Sequence, residues 1–237
     1  MKGFFIAILF LLYYSYFCSC HPKGLWMKNG VKLSQVKIFF ESFSHFSYMW
    51  LLTLRSFFMS YFYKHGLAVM RAQPFHIGHA EIIDDMLKKC KFVTVILGSI
   101  QEQGTERNPL NYTTRKKMIQ NVYRIRPEYS RLKIIGLFDI NNPAEWAEYV
   151  LDFMGETFPD LPKPDVYFAG SDYDAHWFKS AFHHIELIDR TNPNFPFVTG
   201  SMVRDMLKFG DARWKNFIHP ENYHLIEEHF YKKKAII

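Results

Sequence analysis

Residues 66–79 read GLAVMRAQPFHIGH. The apolar run Leu67–Met70 has the length and composition of a buried strand, and Arg71 closes it. Pro74 lacks a ladder N–H, which predicts that the strand ends there. A helix is expected to start near Ile77 or Gly78. Its first amides have no intrahelical partner and its dipole end is positive, so it attracts an anion. Gly78 permits close approach of backbone and ligand. His76 and His79 sit three apart on one face of that first turn, so both imidazoles could donate to one phosphate. The plain alternative is a turn with two structural histidines. The strand, proline, glycine and helix start around them favour the phosphate site.

Outward from this turn the pattern is regular. Short apolar runs at Leu67–Arg71, Phe92–Gly98, Leu132–Phe138, Val166–Ala169 and His184–Ile188 read as strands. Helical patterns lie at Ala80–Lys89, Thr114–Arg126, Ala144–Met154 and Asp174–Phe182, and Ser201–Lys208 and Glu221–Phe230 close the chain. Strands alternating with helices predict an α/β fold, a Rossmann-like doubly wound parallel sheet with right-handed crossovers. Ligands in such sheets bind at the carboxyl ends of the strands, which is where Arg71–His79 falls.

The chain has 237 residues and a formal net charge of +6. The charge is uneven: residues 1–63 carry +5 and the remaining residues only +1. The body is therefore nearly neutral, and bulk charge does not imply a nucleic-acid partner. Cys18, Cys20 and Cys90 have no metal-ligand spacing, so neither a disulfide framework nor a zinc site is expected. Residues 1–63 form an apolar, aromatic-rich extension, and 64–237 the main domain. Phe4–Phe17 is a continuous apolar run, short for a membrane span of ~20 residues. The extension reads as an upstream start that is not native, as a membrane anchor, or as a secretory signal; membrane contact is expected only if it is an anchor.

RAQPFHIGH resembles the signature of the HIGH-type nucleotidyltransferase superfamily. MRAQPFHIGH is most similar to the motif of archaeal-type nicotinamide mononucleotide (NMN) adenylyltransferases. The likeness continues through GSIQEQGTERNPLNYTTRKKMI (98–119), DINNPAEW (139–146), YFAGSDYDAHWF (167–178), TGSMVRDML (199–207) and GDARWKNFIHPENYHLIEE (210–228). The resemblance implies transfer of AMP from ATP to NMN, giving NAD and pyrophosphate, with Mg²⁺ on the triphosphate and a cytoplasmic setting. It also suggests a homo-oligomer. It assigns His76, His79 and Arg204 to catalysis. Arg71, Gln73, Gly78, Thr199, Gly200 and Ser201 go to ATP and its phosphates, with Gln73 orienting the loop. Arg107, Asn142 and Trp146 go to the mononucleotide. Plainer readings stay open: Arg107 as a solvated loop residue, Trp146 as core, Arg115 as either a surface residue or a ligand.

The sequence also departs from that family. Met70 stands where its first glycine is expected, Ser171-Asp172 replaces Asn-Pro, and the Asn142–Trp146 loop is one residue longer. These changes leave two further readings: an adenylyl- or cytidylyltransferase with another acceptor such as phosphopantetheine, and a non-catalytic NAD or ATP sensor. No K-M-S-K-S segment supports an aminoacyl-tRNA synthetase.

Overall fold

The computed structural model describes residues 61–140, 142–189, 191–193 and 195–231. The N-terminal extension up to residue 60 lies outside the described residues. Five strands, β1 (Tyr63–Met70), β2 (Cys90–Leu97), β3 (Leu132–Gly136), β4 (Val166–Ala169) and β5 (His184–Leu187), form one sheet in the order β3-β2-β1-β4-β5. Every pairing is parallel. The helices are α1 (Ile77–Lys89), α2 (Tyr112–Tyr123), α3 (Trp146–Thr157), α4 (Asp172–His176), α5 (Gly200–Phe209) and α6 (Tyr223–Phe230). The doubly wound sheet expected from the alternating pattern is therefore present.

Central strands of a parallel sheet are covered on both faces, which is why β1 and β2 read as continuous apolar runs. Leu67, Ala68, Val93, Val95, Ile96 and Leu97 are all buried. One face packs α1, α2, α5 and α6 through Ile83, Met86, Met118, Val203 and Ile226. The other packs α3 and the α4 region through Val150, Met154, Ala175 and Phe178. The strand order reverses between β1 and β4, so a crevice opens above their carboxyl ends.

Several boundaries shift. β1 begins at Tyr63, the last residue assigned to the extension, and Tyr63 donates its hydroxyl to Glu186 Oε1 on β5 at 2.7 Å. It ends at Met70, before Arg71 and well before Pro74, because Ala72 turns the chain at φ 49°. The helical pattern at 174–182 forms only the short α4, followed by turns. Among the described residues no helix is long and apolar enough to cross a membrane.

His65 on β1 is fully buried. Its Nδ1 lies 2.6 Å from the Pro162 carbonyl oxygen and its Nε2 2.9 Å from Thr94 Oγ1. Burial lowers its pKa below the ordinary 6.5, against smaller opposing effects of Pro162 and Asp165. A lowered folded-state pKa contributes stability that is complete above the unfolded value and lost as pH falls through the folded one. Stability in urea is thus expected to decline below a pH of about 6.5, and His65→Gln to flatten that decline. An equally steep acid loss in the variant would assign it to other groups.

Candidate active site

A cleft of about 550 Å³ lies at the carboxyl ends of β1, β2 and β4. Its floor is tied together by a residue that the sequence leaves ambiguous. Arg115, on α2, is completely buried. Its Nη1 donates to the carbonyl oxygens of Arg71 and Gly98, both at 2.8 Å, and its Nη2 to that of Ser99 at 3.3 Å. It is neither a surface residue nor placed as a substrate ligand. It pins the exits of β1 and β2, whose last carbonyls have left the ladder and need donors. Removing a buried donor leaves its acceptors unsatisfied. Arg115→Met leaves three carbonyls without that donor and is expected to cost about 3 kcal/mol or more and to lower Tm by roughly 6–12 °C or more. A calorimetric Tm within a degree or two of wild type would contradict this.

Gln73 is buried. Its Nε2 donates to the Leu110 carbonyl at 2.8 Å and its Oε1 accepts from the Leu110 amide at 2.9 Å. Each end of the side chain makes one bond to the Leu110 backbone, so Gln73 holds the two loops together. Ser99, at φ 52°, is held in turn by Asp139, which accepts from its amide at 2.9 Å and also from its hydroxyl.

The histidine turn opens α1. His76 is the residue before its first turn, and the Ile77 amide donates to the Phe217 carbonyl at 2.9 Å. The two imidazoles stack, with centroids 3.8 Å apart and planes at 27°. His79 also stacks on Phe75 at 5.9 Å. His79 lines the cleft, whereas His76 is buried behind it and is not part of the lining. The two are therefore not equivalent donors. The His76 amide points at His79 Nδ1 at 3.4 Å; with Nδ1 accepting, Nε2 carries the proton. Gly78 is buried beneath the turn, away from the lining. A Cβ there would meet Val198 Cγ1 at 3.1 Å and the His76 ring at 3.2 Å. Its smallness admits His76 rather than a ligand.

Three arginines converge on the cleft: Arg71 after β1, Arg107 in the loop after β2, and Arg204 on α5. Arg204 Nη1 donates to the Gln73 carbonyl at 2.8 Å and Nη2 to Ser201 Oγ at 3.2 Å. Gly200 makes room for this: a Cβ would lie 3.2 Å from both Arg204 Nη1 and the Gln73 carbonyl oxygen. Thr199 caps α5, its hydroxyl accepting from the Met202 amide at 3.1 Å. Burial holds Arg71 below the ordinary arginine range, followed by repulsion from Arg107. Arg204 is lowered by burial and then by Arg71. Like charges held together beside a helix N-terminus form a site that an anion relieves.

Aromatic side chains form the other part of the wall. Trp146, Tyr173 and Trp177 line the cleft, with Asp174 among them. Trp146 packs at 5.8 Å from Tyr149, and Trp177 meets Tyr173 edge-on at 5.9 Å. Asn142 is exposed just outside the lining, before the turn Pro143–Glu145. Met70 lines the cleft at the end of β1. Tyr173, Asp174 and Trp177 were not singled out in the sequence. Their signal is the spacing of two aromatics one helical turn apart directly after a buried strand. Among the described residues no three His, Cys, Asp or Glu side chains group to hold a metal ion.

The sequence profile of the cytidylyltransferase-like family matches residues 68–222. The chain belongs to this family. The family match contains every candidate residue from Arg71 to Arg204. Among similar proteins, the nicotinamide-nucleotide adenylyltransferase of Saccharolobus solfataricus is 33% identical over 123 residues, covering 52% of this chain and 67% of that protein. The enzyme of the same name from Thermococcus kodakarensis is 31% identical, covering 52% of this chain and 62% of that protein. The chain thus spans roughly two thirds or less of these relatives' length. A solved bifunctional NMN adenylyltransferase/ADP-ribose pyrophosphatase from Francisella tularensis, complexed with AMP and a manganese ion, shares the fold. Its TM-score is 0.54 at 18% identity, covering 73% of this chain and 55% of that one.

Proposed function

We propose that this cytidylyltransferase-like protein is an NMN adenylyltransferase, joining the AMP of ATP to NMN to give NAD and pyrophosphate. The observation that carries the reading is the cleft itself. His79 and the α5 N-terminus reach it from one face of the sheet, Trp146 and Trp177 from the other, and three arginines line it. That arrangement suits a ligand with phosphates at one end and a flat ring at the other.

The chemistry follows from charge. An oxygen of the NMN phosphate attacks the α-phosphorus of ATP. The bond from that phosphorus to the α,β-bridging oxygen breaks, and pyrophosphate leaves with the electron pair. The nucleophile is already an anion, so no residue need remove a proton. The protein's task is to position the groups and offset charge at the α-phosphate. His79 donates to that phosphate, with His76 stacked behind it to fix its ring. Arg204 and the α5 amides, including those of Gly200 and Ser201, hold the leaving pyrophosphate. Arg71 and Arg107 attract the phosphates, and Trp146 with Asn142 contacts the nicotinamide end. Gln73, Gly78 and Thr199 act by shaping the loops. Magnesium enters as part of the MgATP substrate. We propose a cytoplasmic setting, with which the use of ATP agrees.

We further propose that residues 61–237 suffice for activity, since β1 starts at Tyr63 and the Arg131 guanidinium stacks on Tyr61 at 5.0 Å. The test incubates the full chain and this fragment with MgATP and a panel of phosphorylated acceptors, and follows pyrophosphate. Release with NMN supports the reading. Release only with phosphopantetheine, or ATP binding with no release, overturns it.

A further inference from the structure

We infer that Asp174 makes this cleft selective for a mononucleotide whose ring carries an uncharged amide over one whose ring carries a carboxylate. The inference rests on the adenylyltransferase reading above. The cleft carries charge of both signs, and the Asp174 carboxylate is among the charges that act on Arg71. The arginines reach it from the ends of β1 and β2 and from α5, whereas Asp174 comes from α4 with Tyr173 and Trp177 beside it. Trp146 and Trp177 pack against the same cluster on one face of the sheet. α1 and α5, which carry His79 and Arg204, pack on the opposite face. Trp146 and Trp177 thus reach the cleft from one face of the sheet and His79 and Arg204 from the other, and Asp174 comes from the short helix that carries Tyr173.

The other two carboxylates lining the cleft come from the loops after β2 and β3. Asp139 holds Ser99 with both oxygens, and Glu102 accepts from Asn108 Nδ2. Asp174 accepts from Ser171 Oγ through Oδ2 at 2.7 Å. Its Oδ1 has no hydrogen-bond partner among the described residues, and the residue is exposed in the open cleft. A ring lying against Trp146 and Trp177 would cover it.

NMN has matching polarity. Its phosphate is anionic, and its ring is a pyridinium cation that suits aromatic faces and a carboxylate. Its amide carries an N–H that can donate to Oδ1. Nicotinic acid mononucleotide presents a carboxylate at the same ring position, which brings repulsion and no donor. Discrimination of this kind arises from a clash with the wrong ligand as much as from a fit to the right one.

The test compares kcat/KM for the two mononucleotides, at fixed MgATP, in wild type and Asp174→Asn. Asparagine keeps an oxygen for Ser171 and removes the charge. Wild type should favour NMN by about 10-fold or more, in line with the loss of one polar contact. The variant should shrink that ratio about 10-fold through KM for both mononucleotides, with a smaller change in KM for ATP. Should the variant not fold, wild-type Kd values for both mononucleotides at low and high salt give a second reading, and the preference should narrow as salt screens the repulsion. Equal use of both mononucleotides by wild type, an unchanged ratio in the variant, or a salt-independent preference overturns the inference alone. Turnover of neither mononucleotide overturns the reading of the site and the inference with it.

Discussion

Replacing His79 with alanine is expected to lower kcat about 100- to 1000-fold, the usual effect of losing one donor to developing charge. KM for ATP should move little. The hydrogen bond strengthens as the α-phosphate becomes five-coordinate, so its loss falls on the transition state more than on substrate binding. His79 lines the cleft and His76 does not, so His76→Ala should act indirectly, by loosening the ring stacked at 3.8 Å. Steady-state kinetics on both variants measures the contrast. An unchanged kcat for His79→Ala would make that histidine structural, and a larger loss for His76→Ala would reverse the roles.

Arg204→Ala is expected to raise KM for ATP roughly 10- to 100-fold, corresponding to one charge-assisted hydrogen-bonding group. KM for NMN should stay within about 2-fold, because α5 lies at the phosphate end of the cleft. Arg204→Lys should recover only part of the loss, since an ammonium lacks the planar fork that serves Gln73, Ser201 and phosphate together. Product inhibition by pyrophosphate should weaken in parallel. Equal losses for both nucleotides would show that Arg204 acts mainly by holding the Gln73 carbonyl.

The strands were legible because buried parallel strands are short apolar runs, and Leu67–Met70 and Phe92–Leu97 admit no other reading once helices are seen between them. The histidine turn was legible because its signals are local: the proline, the glycine and the spacing lie within nine residues. Three features were not legible, each because it depends on contacts between distant segments. Arg115 looks like any helix arginine until the exits of β1 and β2 close over it. Gly78 looks like a ligand-facing glycine until Val198 and the His76 ring are found crowding the place a Cβ would take. Tyr63 looks like the end of an aromatic tract until Glu186, on the far edge strand, accepts its hydroxyl. Trp177 and Asp174 were hidden for another reason. The pattern at 174–182 suggests a longer helix, which would have buried them differently from the short α4 and the turns that follow.

The central claim is direct transfer of AMP to NMN in this cleft. The most direct measurement is a time course of NAD and pyrophosphate formed by the full chain from NMN and MgATP, run beside His79→Ala. Wild type should form NAD and pyrophosphate in equal amounts, with no AMP accumulating, and the variant should slow both equally. Pyrophosphate released with AMP but without NAD, or NAD formed equally fast by the variant, would contradict the account.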